Sequence, residues 1–457
     1  MAQTALDEIA TFLGDRLVRS KPDRDLHGQS ETWFPATPPD AVAYPESTEE
    51  VARIVGICAR HGFPVVPWGA GTSLEGHALA VRGGLCLDTS RMNRVLEIRA
   101  EDMQAVVQPG ITREALNTEL RATGLFFPVD PGANATIGGM AATRASGTTT
   151  VRYGTMRDNV MGLEVVLADG RVIRTGSGAR KSSSGYDLTG LFVGSEGTLG
   201  IITQLTLRLH GQPEAISAAT CAFDDFETAV QTVIATIQHG IPMARIEFVD
   251  ETVAAIFNRM NGTDLPEKPH LMVEFHGSER AVTEDAERFG EIVSEMGGGH
   301  FAWATRPEDR NRLWAMRHAA YRTILASRPG SMGLATDICV PISRLAQAVA
   351  ETRADIESSG IPGPIVGHVG DGNFHALLLI ERGNPEELAR AKALSRRMAE
   401  RAIRLGGTIT GEHGVGAGKL DLMELEHGPA WQVMATLKRA LDPRDILNPG
   451  KVVRIET

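Results

Sequence analysis

The chain has 457 residues, 46 basic and 57 acidic, for a net charge of -11. That length exceeds one ordinary core and calls for two or three domains, and an acidic chain with no basic run disfavours a grip on nucleic acid. Four cysteines, Cys58, Cys86, Cys221 and Cys339, form no CxxC pair, which argues against an iron–sulfur cluster and for a reduced, cytoplasmic protein.

Residues 1–35 read as an N-terminal helical segment. Asp7 and Glu8 precede its apolar residues, so no signal peptide is expected, and no run approaches transmembrane length. From 36 to 212, short strand candidates at 64–68, 83–87, 105–109, 161–167 and 200–209 alternate with glycine clusters. The first cluster is Pro67-Trp68-Gly69-Ala70-Gly71-Thr72-Ser73, where backbone N–H groups can approach a phosphate closely. The second runs from Asp130-Pro131-Gly132 through Thr136-Ile137-Gly138-Gly139 and Ala142-Thr143-Arg144-Ala145 to Ser146-Gly147, small enough throughout to admit a flat ring or a pyrophosphate. The third is Gly194-Ser195-Glu196-Gly197-Thr198-Leu199-Gly200-Ile201. Gly69-Ala70-Gly71 lacks the spacing of a Rossmann fingerprint. Gly414 to Lys419 imitates a P-loop, but His413 stands where its first glycine belongs and Leu420 replaces the Ser or Thr.

Residues 213–457 form a second domain. Longer strand and helix candidates alternate there, and Asn384-Pro385-Glu386-Glu387 is a strong helix start. Asp371-Gly372 suits a two-residue type I′ turn, which would pair Gly370 with Asn373 and His368 with His375. Such a hairpin points to an antiparallel sheet carrying helices, an α+β cap. It also brings two imidazoles to one face, and Gly411-Glu412-His413-Gly414 adds a carboxylate and a further base. Taken singly, each histidine is more often a hydrogen-bonded structural residue. Together, His368, His375 and Glu412 suit Zn²⁺ or Mn²⁺, and His413 is left as a base.

The three clusters in order, with Tyr153-Gly154 and the closing Leu441-Asp442-Pro443 to Asn448-Pro449-Gly450-Lys451, resemble the flavin-binding fold of the vanillyl-alcohol oxidase, PCMH-type superfamily. The second half resembles the FAD-linked C-terminal domain of cytochrome-linked D-lactate dehydrogenases, glycolate oxidase D subunits and D-2-hydroxyglutarate dehydrogenases. The resemblance implies an α+β protein: an FAD domain of two α+β subdomains under an antiparallel-sheet cap. It places Pro67, Gly69, Ala70, Gly71, Thr72 and Ser73 around the pyrophosphate, with Gly76 and His77 ending that turn. Pro131, Thr136, Ile137, Gly138, Gly139, Ala142, Thr143, Ala145, Ser146, Gly147, Tyr153 and Gly154 are assigned to the flavin side. Glu196, Gly200 and Ile201 follow, Ile201 toward the adenine, and Asn448 approaches the ring from the closing segment. Relatives that bind FAD covalently carry a histidine inside the first turn; Gly71-Thr72-Ser73 stands there, so noncovalent FAD is expected and His77 is read as structural.

The relatives' motif points to the same ligands, His368, His375 and Glu412, to His413 as the catalytic base, and to Arg317 as the clamp on a substrate carboxylate. Tyr321 lies four residues on, on the same helical face. Leu377 shares the face of His375 and favours a small or apolar substrate side chain. The implied reaction is oxidation of a D-2-hydroxy acid, D-lactate or similar, to the 2-oxo acid by hydride transfer to FAD. Electrons then leave to an external acceptor: a cytochrome, an electron-transfer flavoprotein, a quinone or a partner subunit. A glycolate oxidase catalytic subunit, a D-2-hydroxyglutarate dehydrogenase, a metal-dependent hydrolase and a noncatalytic flavin-binding accessory subunit stay open as alternatives. So do a homodimer and a peripheral attachment of the cytoplasmic protein to the respiratory membrane.

Overall fold

The computed structural model describes residues 2–304 and 306–455. Three larger sheets and one two-stranded pair, Leu125–Phe126 with His210–Gly211, organise them. The first has the order Leu17–Val18, Ala41–Ala43, Leu85–Asp88, Val65–Trp68, antiparallel where Leu17–Val18 joins Ala41–Ala43 and parallel at the other two pairings. The N-terminal stretch expected as helical therefore also contributes a strand, between helices Ala2–Leu13 and Lys21–Leu26. Helix Thr48–His61 covers this sheet; Ser47 caps it by accepting from Glu50 N, and Gly62, at φ +60°, ends it. Its Val51, Ile54, Val55 and Cys58 share a core with Ala5, Ile9, Val65 and Leu85.

The second sheet is antiparallel, in the order Val95–Arg99, Gln104–Val107, Ile201–Arg208, Val160–Val166, Val172–Gly176. The third is the eight-stranded cap, antiparallel at every pairing, running from the edge strand Gly299–Ala304 through Met243–Val249 to Ile365–His368 and Asn373–Glu381. Among the described residues no helix is long and apolar enough to cross a membrane.

One register differs from expectation. His368 pairs with Asn373 and Val366 with His375, so the turn holds four residues rather than two. A type I′ turn needs positive φ at both central residues, yet of Asp371 and Gly372 only Gly372 has it, at +77°. Val340 N donates to Gly372 O at 3.0 Å, and a Cβ on Gly372 would lie 2.1 Å from Val340 O, so the neighbouring segment draws the turn open. The slip is two residues, an even number, so His368 and His375 keep the same face.

The last fifty residues return to the first sheet. Val65 N donates to Ile446 O at 2.7 Å and Asn448 N to Val65 O at 2.8 Å, which lays the segment along the strand edge. The fully buried Lys438 holds this return: its Nζ donates to Asp442 Oδ2 at 2.5 Å, Leu447 O at 2.8 Å and Thr198 O at 2.9 Å. Removing one partner of a buried pair leaves the other charge uncompensated, at a cost of about 3–5 kcal/mol. Lys438→Met is expected to lower the thermal unfolding temperature accordingly, and adding Asp442→Asn to recover part of the loss.

Candidate active site

Helices Pro307–His318 and Ala320–Ala326, the cap hairpin and the glycine clusters enclose a cavity of about 760 Å³. Its floor is the cradle: Pro67, Gly69, Ala70, Gly71, Thr72, Ser73 and His77, then Pro131, Thr136, Gly138, Gly139, Ala142, Thr143, Ala145 and Ser146, then Glu196, Gly200 and Ile201, with Asn448 beside them. The glycines are sterically required. A Cβ on Gly69 would stand 2.3 Å from Thr136 Oγ1, and one on Gly138 2.4 Å from Pro109 Cβ. Thr136 Oγ1 is buried without a partner in this cavity, a donor left for a ligand. A continuous cavity floored by close-packed backbone, with an orphaned hydroxyl, fits a flavin dinucleotide.

Five residues assigned to the cofactor lie outside the lining, each for a visible reason. Gly76 turns the chain at φ +71° under Phe34 and Leu79, and Ile137 is fully buried in the core of the second sheet. Gly147 packs on Asp130, where a Cβ would come within 2.4 Å, and Gly154, at φ +77°, abuts Asp158. Tyr153 faces away, its hydroxyl 2.7 Å from His276 Nδ1. Asn448 pins the cradle from behind, donating to His77 O at 3.0 Å and Glu196 O at 2.8 Å.

Across the cavity stand Arg317, Tyr321, Leu377, His368, His375, Glu412 and His413. His375 Nδ1 lies 3.0 Å from Thr336 O, and His368 Nδ1 2.7 Å from Glu247 Oε1. A carbonyl can only accept, so Nδ1 of His375 carries a proton and Nε2 is the ring atom turned toward Glu412. Both Nε2 atoms face Glu412 Oε1, at 3.2 Å from His368 and 3.3 Å from His375. Burial disfavours a charged His368, but Glu247 and Glu412 raise its pKa well above the usual histidine value. Burial likewise pushes Glu412 up, and His368 outweighs that to hold it well below the carboxylate range. The pocket thus demands a positive charge between the two rings, which a proton or a divalent cation can supply. Two imidazoles and one carboxylate within reach of a common point, each with its outer atom tied, form a donor set that fits Zn²⁺ or Mn²⁺.

His413 stacks on His375 with ring centroids 4.9 Å apart, and its Nδ1 is buried without a partner. Burial lowers its pKa to about 4, so the ring is neutral at neutral pH. Arg317 Nη2 stands 2.5 Å from Glu247 Oε2, out of line for a hydrogen bond, and its Nε and Nη2 lack other partners. Tyr321 donates to Glu31 O at 2.9 Å, closing the rim with the N-terminal segment.

Glu247 was not singled out from the sequence. It sits mid-strand in Arg245-Ile246-Glu247-Phe248, where alternation alone reads as a solvent face; only the sheet register shows both oxygens engaged, one by His368 and one by Arg317. The loop carrying Glu412 is also gripped by all three glycine clusters. Glu75 O accepts from Ala417 and Gly418, Ser146 Oγ donates to Glu412 Oε2 at 2.6 Å, and Glu196 accepts from Val415 N and Gly416 N at 2.7 and 2.8 Å.

Residues 39–176 match the FAD binding domain family, and residues 212–452 match the family of FAD linked oxidases, C-terminal domain. The chain is 49% identical over 436 residues to a probable mitochondrial D-lactate dehydrogenase of Danio rerio, covering 94% of this chain and 88% of that one. It is 43% identical to the mitochondrial D-lactate dehydrogenase [cytochrome] of Arabidopsis thaliana, covering 98% and 80%. Among solved structures, 4-ethylphenol oxidase from Gulosibacter chungangensis superposes with a TM-score of 0.81 at 20% identity, covering 99% of this chain and 97% of that one. p-Cresol methylhydroxylase does so with a TM-score of 0.75, also at 20% identity, covering 98% and 96%. At such identities these two speak for the fold alone. With both family matches spanning the cradle and the cap, the chain belongs to the FAD-linked oxidases, as an FAD-dependent dehydrogenase on the p-cresol methylhydroxylase-type fold.

Proposed function

We propose that this enzyme oxidises a D-2-hydroxy acid, D-lactate or another with a small or apolar side chain, to the 2-oxo acid, using noncovalent FAD and a divalent cation, Zn²⁺ or Mn²⁺. One observation carries the reading. Two imidazole Nε2 atoms converge on Glu412 in the same cavity as Arg317, whose Nε is unpartnered, the unpartnered Nδ1 of His413 and the flavin cradle. When bound, FAD accepts the hydride and the cation polarises the substrate hydroxyl.

The protein's own groups have separable tasks. Arg317, paired with Glu247 at Nη2, has Nε left for the substrate carboxylate, and its fork can serve both acids at once, a geometry that lysine lacks. His413, neutral because buried, takes the hydroxyl proton at Nδ1. Leu377 and Tyr321 meet over Gly333, whose added Cβ would touch each at 3.0 Å, and this apolar wall limits the substrate side chain. Hydrolysis at the same donor set would leave the cradle without a purpose. The names of the relatives support D-lactate as substrate and a cytochrome as acceptor. An electron-transfer flavoprotein, quinone or partner subunit would serve the same chemistry, since all four cysteines are free and dispersed.

Anaerobic D-lactate should bleach the flavin, chelation should abolish the bleaching, and Zn²⁺ or Mn²⁺ should restore it. A flavin that stays oxidised with D-lactate, glycolate and D-2-hydroxyglutarate alike would rule the reading out. His413→Ala should keep FAD and metal yet slow flavin reduction by roughly 10²- to 10⁴-fold in stopped flow. Arg317→Lys should cost about 2–5 kcal/mol in kcat/KM for D-lactate, the range for a charged contact left imperfect in a buried site.

A further inference from the structure

Glu412 and His413 are neighbours in the chain, yet both side chains face the cavity. Their segment, 410–414, lies outside any helix or strand, so no ladder fixes its backbone N–H groups. Asp337, at the end of the stretch following strand Ser331–Ala335, does so instead. Its Oδ2 accepts from Glu412 N and His413 N, each at 2.9 Å, and from Thr410 Oγ1 at 2.6 Å; its Oδ1 accepts from Asn373 Nδ2 at 2.7 Å. Two successive N–H groups converging on one anion form a nest, a conformation that turns adjacent residues toward one side. Gly411 is needed for the approach, since its Cβ would fall 2.2 Å from Asn373 Nδ2.

We propose that Asp337 is a positioning residue that sets the metal ligand Glu412 and the base His413 together through their backbone N–H groups. The inference rests on the 2-hydroxy-acid dehydrogenase reading above and adds a residue to it. Asp337, His375 and His413 could by distance form a cation site of their own. The oxygens of Asp337 are already engaged by four protein donors, and Lys419 Nζ stands 3.6 Å from Oδ2 as countercharge, so Asp337 serves the loop and not a cation. Its side chain is fully buried, and His375 Nδ1, 3.6 Å from Oδ1, is the remaining polar neighbour within ion-pair distance.

The test uses FAD-loaded protein stripped of metal and titrated with Zn²⁺ against a chromophoric chelator, alongside anaerobic reduction by D-lactate. Asp337→Asn is expected to weaken Zn²⁺ binding roughly 10- to 100-fold, the range for outer-shell partners of a metal site, with FAD content unchanged. The loss in turnover should fall on kcat more than on KM, because Arg317 keeps its contact with the carboxylate. Thr352→Val, which removes a buried hydroxyl in helix Leu345–Ser359, is the control for simple destabilisation and should leave Zn²⁺ affinity at the wild-type value. Wild-type Zn²⁺ affinity and flavin reduction in Asp337→Asn would overturn the proposal. Should that variant fail to fold, Thr410→Val decides: it deletes one donor to Asp337, and an unchanged Zn²⁺ affinity would overturn the proposal equally. Weakened Zn²⁺ binding in a protein whose wild type is reduced by no 2-hydroxy acid would uphold Asp337 and remove the dehydrogenase reading.

Discussion

Everything at this site depends on one carboxylate, Glu412, being held between two halves of the chain. Ser146 reaches it from the flavin cradle, and His368 and His375 reach it from the cap sheet. Neither half has a complete site alone. The cradle supplies a place for the cofactor; the cap supplies His368, His375 and Arg317, but the carboxylate that both imidazoles face comes from a loop that the cradle grips. Domain placement and site assembly are therefore one event, and the buried Lys438 that docks the return segment contributes to chemistry it never touches.

Charge balance explains why the cavity wall tolerates so many ionisable groups. Glu247, Asp337 and Glu412 are buried or nearly so, against the permanent cations Arg317 and Lys419. Buried charges persist only when paired and hydrogen-bonded, and each of these carboxylates has at least one such partner. The remaining positive charge belongs between His368 and His375. Glu247 and Glu412 hold positive charge at His368 against the cost of burial, and the same two carboxylates would favour a cation bound beside it.

The glycine clusters were legible in the sequence because close packing of backbone around the cavity leaves no room for a Cβ, and the approach of His368 to His375 because an even register slip preserves a face. The turn was misread for the opposite reason: Asp371-Gly372 is locally suited to a tight turn, and only the distant Val340 decides otherwise. Tyr153-Gly154 was assigned to the cradle through the resemblance, but the short helix Thr150–Tyr153 turns the ring to His276. Glu247 and Asp337 were illegible as functional groups, since a lone carboxylate beside a strand carries no pattern. What makes them matter is which N–H groups face them, and that is set by registers between segments far apart in sequence. Arg317 was assigned through resemblance; its buried, unpartnered Nε supplies a physical ground independent of it.

The stretch Gly414 to Lys419 shows the same physics serving a different anion. In a phosphate-binding loop, glycines let successive N–H groups close around a ligand. Here a Cβ on Gly414 would lie 2.7 Å from Glu196 Oε1, one on Gly416 2.1 Å from Glu75 O, and one on Gly418 2.2 Å from Glu75 Oε2. The N–H groups of Val415 and Gly416 close on the carboxylate of Glu196, and Lys419 Nζ reaches Glu75 Oε1 at 3.3 Å. The loop binds the protein's own acids where a nucleotide-binding loop would bind phosphate. That substitution turns a ligand-binding device into a domain clamp, and it accounts for a glycine-rich, lysine-ended segment lying beside Glu412 and His413.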